Sequence, residues 1–173
     1  MAISSTDFIQ RYLEDSIALE QSVEVRLRSM AKECHAQGVS DLFVQHADEA
    51  REHTAKLTNR LRQLGGTPST TKGMVAHLFG NLLNKPPVAS GTTDRETQDL
   101  LLAYSLQHTS IAVYEALHAA ADYLGDVETS ELAQATQADQ RKAAEAFWKG
   151  LGGAAVSAVR HERTTGAERA ANL

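Results

Sequence analysis

The sequence predicts an all-α chain, a bundle of four long helices with one extended connection. Three observations carry this: where proline and glycine fall, how the apolar residues are spaced, and how unequal the connections are. All three prolines, Pro68, Pro86 and Pro87, lie between Gly65 and Thr93, in "GGTPSTTKG" and "NKPPVASGTT", whose small and turn-forming residues are loop chemistry. Residues 7–34, 40–64, 94–124 and roughly 127–149 contain neither proline nor glycine. They are rich in Ala, Leu, Glu, Gln and Arg, which lose little side-chain freedom in a helix. No stretch alternates well enough to read as a strand.

Each element has its own support. In the first, Asp7-x-x-Gln10 resembles a capping box, and Ile9, Leu13, Ile17, Glu20, Val23/Glu24, Leu27 and Ala31 form an inward stripe. In the second, Ser40 is placed to cap the N-terminus, and the stripe Leu42, Phe43, His46, Glu49/Ala50, His53, Leu57, Leu61 and Leu64 is apolar except at its centre. Thr93-x-x-Glu96 opens the third as another capping box, while Gly38, Gly65 and Gly125 stand where helices end. The fourth, "TSELAQATQADQRKAAEAFWKG", is expected to stop near Gly150. The segment 160–173, "RHERTTGAERAANL", has little to bury and is expected to be a partly disordered tail behind a single domain of residues 1–159.

The connections set the topology. Helices 1 and 2, and helices 3 and 4, are separated by a few residues and must be antiparallel neighbours, whereas about thirty residues separate helices 2 and 3. That length can run from one end of the bundle to the other, and Met74, Val75, Leu78 and Leu82 within it predict a short crossover helix. Such an arrangement is that of ferritin-like bundles.

A bundle of this type suggests where to look for chemistry. Ferritin-like dinuclear sites take a Glu from each of two helices and a Glu-x-x-His pair from each of the other two. Here Glu20 lies on the inward stripe of helix 1, and Glu49 with His53 share a face of helix 2 at i, i+4, although the residue three before His53 is Ala50. Asp139 is the acidic residue near the middle of helix 4. On helix 3 the expected level of Glu20 is Gln107 to Ile111, which offers no carboxylate; Glu115 and His118 form a Glu-x-x-His pair further along and are outside candidates. The candidate metal ligands are therefore Glu20, Glu49, His53 and Asp139. Set against six ligands, they fit a partial or degenerate site, holding either nothing or iron or manganese at partial occupancy. Tyr104 and Tyr114 are read as core aromatics with bonded hydroxyls, and His46 as structural.

Composition excludes several other functions. A formal charge of −5 and no basic run give nothing to attract phosphates, so nucleic acid is not an expected partner. No apolar run is long enough to cross a membrane, and "MAISSTDF" lacks the basic and apolar regions of a leader. The lone Cys34 rules out an internal disulfide and suits a reducing compartment, so a cytoplasmic protein is expected.

Five stretches resemble the ferritin-like YciE/YciF family of bacteria: "YLEDSIALEQSV", "HADEAREHTAKL", "KGMVAHLFGNLL", "LQHTSIAVYEALHAAADYLG" and "ELAQATQADQRKAAEAF". The resemblance spans about residues 6–150. It implies a stress-associated protein of undefined activity, a homodimer, and a bundle able to hold a dinuclear metal, with Glu20, Glu49 and His53 matching the ligands of the first two helices. In the second half Gln107 and Ser110 stand where the family shows glutamates in helix 3, and Ala138 and Asp139 where it shows an acidic pair in helix 4. Two functions follow as expectations: a non-catalytic, metal-degenerate bundle acting through protein partners, or a di-iron or di-manganese oxidase or peroxide-consuming enzyme.

Overall fold

The computed structural model describes residues 5–68 and 94–171, and every regular element among them is a helix. These are α1 (Ser5–Glu33), α2 (Gln37–Gln63), α3 (Arg95–Tyr123) and α4 (Val127–Ala171). The hairpins α1/α2 and α3/α4 pack on each other through α1 against α3 and α2 against α4. The expected crossover helix lies outside the described residues. Its anchor points are clear nonetheless: α2 ends beside the start of α1, where Gln10 Nε2 donates to Leu64 O at 2.8 Å, while α3 starts beside the end of α1, where the Ala36 amide donates to Glu96 Oε1 at 2.9 Å. The long connection therefore joins opposite ends of the bundle, as its length predicts.

Local chemistry explains the ends. Gly65 (φ +81°) and Gly125 (φ +74°) take the left-handed conformation that a Cβ disfavours. Each closes a paired cap: Gly66 N–H to Leu61 O and Gly65 N–H to Arg62 O after α2, Asp126 N–H to Ala121 O and Gly125 N–H to Asp122 O after α3. Asp126 then caps α4, its Oδ1 accepting the Thr129 amide at 3.0 Å and Arg60 Nη2 at 2.6 Å.

Other expected caps are corrected. Gly38 lies inside the first turn of α2, and Ser40 does not cap it: the N-cap is Ala36, and Ser40 Oγ donates back to Ala31 O at 2.9 Å. The third helix has Asp94 at its N-cap position with no side-chain cap bond; Thr93, the expected cap, lies outside the described residues, and Glu96 accepts the Ala36 amide and so bridges two hairpins. The fourth helix also does not stop near Gly150. It continues to Ala171 through the segment expected to be a disordered tail, with residues 160–164 exposed. Glycine weakens a helix interior by only about 1 kcal/mol, whereas proline, absent here, would break it.

The interior is built in two apolar parts. One, around Leu27, Phe43, Leu100, Leu106 and Phe147, fills the end where α1 finishes; the other, around Leu13, Leu57, Leu61, Leu117 and Ala133, fills the opposite end. Near the waist, buried polar residues gather from all four helices: Ser16 and Glu20, His53, Ser110, and Thr136 and Gln140.

Candidate functional site

Glu20 is the centre of that polar layer. It is fully buried, one turn from Ser16 on the inward face of α1. Two neutral donors from the second hairpin converge on one of its oxygens: Tyr114 Oη donates to Oε1 at 2.6 Å and Gln140 Nε2 at 2.7 Å. Its other oxygen faces His53 Nδ1 across 3.6 Å, just beyond a direct hydrogen bond, and neither atom has a closer partner. The far side of the same imidazole, Nε2, faces Asp139 Oδ2, again at 3.6 Å. The four helices thus contribute to one file of groups, Tyr114–Glu20–His53–Asp139, that leads from the core to the surface.

The electrostatics follow from that order. Burial alone would push the His53 imidazole down, but the adjacent Glu20 carboxylate, with help from Asp139, outweighs it and holds the pKa above the ordinary histidine value of 6.5. Asp139 is held below the ordinary carboxylate range, first by Lys142, whose Nζ donates to Oδ1 at 2.9 Å, and also by His53. Burial drives the Tyr114 hydroxyl well above 10, and the Glu20 charge adds to that, so the phenol keeps its proton and acts as a donor. Outside Asp139 lies a pocket of about 330 Å³ lined by residues of α2 and α4, among them His46, Glu49, His53, Lys56 and Lys142.

The expected ligands are only partly brought together. Glu20, His53 and Asp139 fall in one line, with the histidine between the two carboxylates. Glu49 does not join them: it is partly exposed at the pocket and accepts from His46 Nδ1 at 2.7 Å, while the His46 ring rests edge-on against Phe147, the structural role expected of it. Glu115 points outward and accepts from Gln137 Nε2 at 2.8 Å, and His118 is engaged by Ser130 Oγ at 2.9 Å.

The expected register of α3 is also corrected. Tyr114, not Gln107 to Ile111, stands level with Glu20, seven residues or about 10 Å further along the helix than Gln107. Glu115 is thus close to the right level and misses the site because consecutive residues on a helix point about 100° apart. Gln140 is the residue that sequence reasoning passed over. Its signal was periodicity: Ala133, Thr136, Gln140, Ala143/Ala144 and Phe147 form the buried stripe of α4, with Asp139 beside it.

These residues do not fit a dinuclear metal centre. Ala50 occupies the place three before His53, and Gln137 the place three before Gln140, where the bundle pattern puts glutamates. Tyr114 fills the contribution of α3 with a phenol that holds its proton. Among the described residues no three His, Cys, Asp or Glu side chains are grouped to hold a metal.

Known proteins agree with the architecture. A protein of Xanthomonas campestris has a solved structure that superposes with a TM-score of 0.77 at 24% identity, covering 92% of this chain and 98% of that one. The Escherichia coli stress protein YciF matches with a TM-score of 0.73 at 14% identity over 89% and 98% of the two chains. A ferritin-like, diiron-carboxylate protein of Bacillus anthracis matches with a TM-score of 0.70 at 19% identity over 87% and 99%. No curated protein is significantly similar. The four-helix arrangement is that of ferritin-like proteins, and the resemblance to YciF read from the sequence holds. Residues 5–158 match the family described as a domain of unknown function (DUF892), and the chain belongs to that family.

Proposed function

We propose that this chain is a cytoplasmic, stress-associated ferritin-like protein that works without catalysis, its bundle centre holding a hydrogen-bonded polar layer where related folds hold metal. The observation that carries this reading is the double donation onto Glu20 Oε1 by Tyr114 at 2.6 Å and Gln140 at 2.7 Å. A bridging carboxylate between two cations needs its lone pairs free and needs other anions nearby to offset the charge in a medium of low dielectric. Here the lone pairs of one oxygen are used, and the two donors are uncharged. His53 and Asp139 leave room for at most a weak, partly occupied ion at the pocket. The stress association is supported by likeness to YciF, described as a stress protein, and the cytoplasmic setting by the lone Cys34.

The test is metal loading of tag-free protein with Fe(II) under air, followed by elemental analysis and absorption spectroscopy. Less than one ion per chain and no oxo-to-iron band are expected; two ions per chain with such a band would overturn the reading. Growth of a deletion strain under oxidative and osmotic stress checks the physiological half, and a strain indistinguishable from its parent under both would count against it.

A further inference from the structure

The pocket outside Asp139 is lined by hydrogen-bonding groups that the chain itself leaves unmatched. His53 is 4% exposed, and a side chain so buried ordinarily has its polar atoms paired, yet each of its nitrogens stops 3.6 Å from a carboxylate oxygen. Nδ1 faces inward to Glu20. Nε2 faces the pocket, with Asp139 Oδ2 beside it. Further along α2, Glu52 and Lys56 also line the pocket, and among the described residues neither has an ion-pair partner. Leu42 and Ala146 close the opposite end with apolar surface.

We propose that this pocket binds a small, neutral polyol of monosaccharide size. The proposal rests on the reading of the bundle centre as free of metal, since a cation between His53 and Asp139 would take the same gap. A hydroxyl group both accepts and donates through a single oxygen. One such oxygen can sit about 2.8 Å from both His53 Nε2 and Asp139 Oδ2, accepting from the imidazole and donating to the carboxylate, because those two atoms are 3.6 Å apart. Glu52 and Lys56 offer the same pairing of acceptor and donor to further hydroxyls. A charged ligand fares worse. An anion at the gap would meet the Asp139 carboxylate, and a cation would meet the imidazolium that Glu20 and Asp139 favour. Around the whole pocket Glu49, Glu52 and Asp139 are offset by Lys56, Lys142 and protonated His53, so its net field selects neither sign. The volume of about 330 Å³ is at the small end of ligand pockets, roughly 300–1,000 Å³, and the apolar end at Leu42 and Ala146 suits the C–H face of a sugar ring.

The test uses the full chain, stripped of metal with EDTA and titrated with D-glucose while NMR follows the His53 ring protons and the backbone amides. Saturable shifts at His53, Lys142 and Ala146 are expected, with a dissociation constant of about 1 mM, an ordinary affinity for a ligand of about twelve non-hydrogen atoms. Asp139→Ala, a change at the rim, should weaken binding at least about ten-fold. Ala146→Phe, which fills the apolar end, should do the same, with helical circular dichroism unchanged in both variants. Cyclohexanol keeps a six-membered ring and one hydroxyl, and should bind at least about ten-fold more weakly than glucose. The absence of a saturable shift would overturn the proposal, as would glucose binding that Asp139→Ala leaves intact. So would tighter binding of cyclohexanol, acetate or spermidine, which would show that apolar surface or charge is what the pocket selects. Protein that takes up no iron and yet fails to bind glucose refutes this proposal alone, whereas two iron ions per chain in the loading experiment refute the metal-free reading on which it rests.

Discussion

Replacing Tyr114 by phenylalanine isolates the contact on which the reading of the bundle centre depends. The ring is fully buried, and phenylalanine keeps its shape, so the packing against the apolar part around Leu13, Leu57 and Leu117 survives. What disappears is the 2.6 Å donation to Glu20 Oε1, leaving Gln140 as the remaining donor to that oxygen. Hydrogen bonds to carboxylates contribute about 1.5–3 kcal/mol, and losing the buried hydroxyl itself returns a little of that, so Tyr114→Phe is expected to cost about 2 kcal/mol. For a chain of this size that corresponds to a fall in Tm of roughly 4–8 °C. Urea unfolding followed by circular dichroism measures it directly. A double-mutant cycle with Glu20→Gln, which keeps the volume of Glu20, should give a coupling above about 1 kcal/mol. A loss under about 0.5 kcal/mol together with a coupling near zero would show that the phenol merely fills space, and the argument for a polar layer in place of metal would fail.

Two further outcomes follow from the charges. His53 has its pKa raised above 6.5 by Glu20 and Asp139 against the effect of burial, so its contribution to stability is fully present below pH 6.5 and lost as pH rises through the higher folded value. NMR titration of its ring protons should find that higher midpoint, and a midpoint at or under 6.5 would contradict the placement of Glu20. At the other end of the bundle, burial would raise the Asp126 carboxyl, but Thr129 and Arg60 together hold it below the ordinary 3.8. Its contribution is therefore present above pH 3.8 and lost as pH falls through the lower folded value. Asp126→Ala removes the cap of α4 and an anchor of Arg60 and should cost about 1–2 kcal/mol at neutral pH in the same urea assay; an unchanged midpoint would deny it that role.

The elements were legible in the sequence because helices without proline or glycine are specified locally. Gly65 and Gly125 mark two ends correctly because a left-handed residue is a backbone requirement that few side chains satisfy. Gly38 and Ser40 mislead because both residue types also occur inside first turns, where neighbouring helices decide the contacts. The candidate site was half legible. Glu20 and His53 stand on strongly periodic apolar stripes, and their inward direction is a property of their own helices. The vertical match between α1 and α3 is not local: it depends on the crossover and on contacts such as Glu96 with Ala36, so Tyr114 was recognised as a core aromatic but not as the partner of Glu20. Gln140 was passed over for a simpler reason. An amide attracts notice as a ligand less than the carboxylate beside it, although Asp139 is on the rim and Gln140 is inside.

The division of the interior into two apolar parts bears on how such a chain can change over generations. Leucines and phenylalanines at either end answer mainly to neighbours on their own side of the waist. A mutation at one end therefore needs its compensating change there and not at the other. Substitutions at the two ends are thus expected to act independently of each other, whereas changes at Glu20, Tyr114 and Gln140, tied to one another across both hairpins, are expected to be coupled.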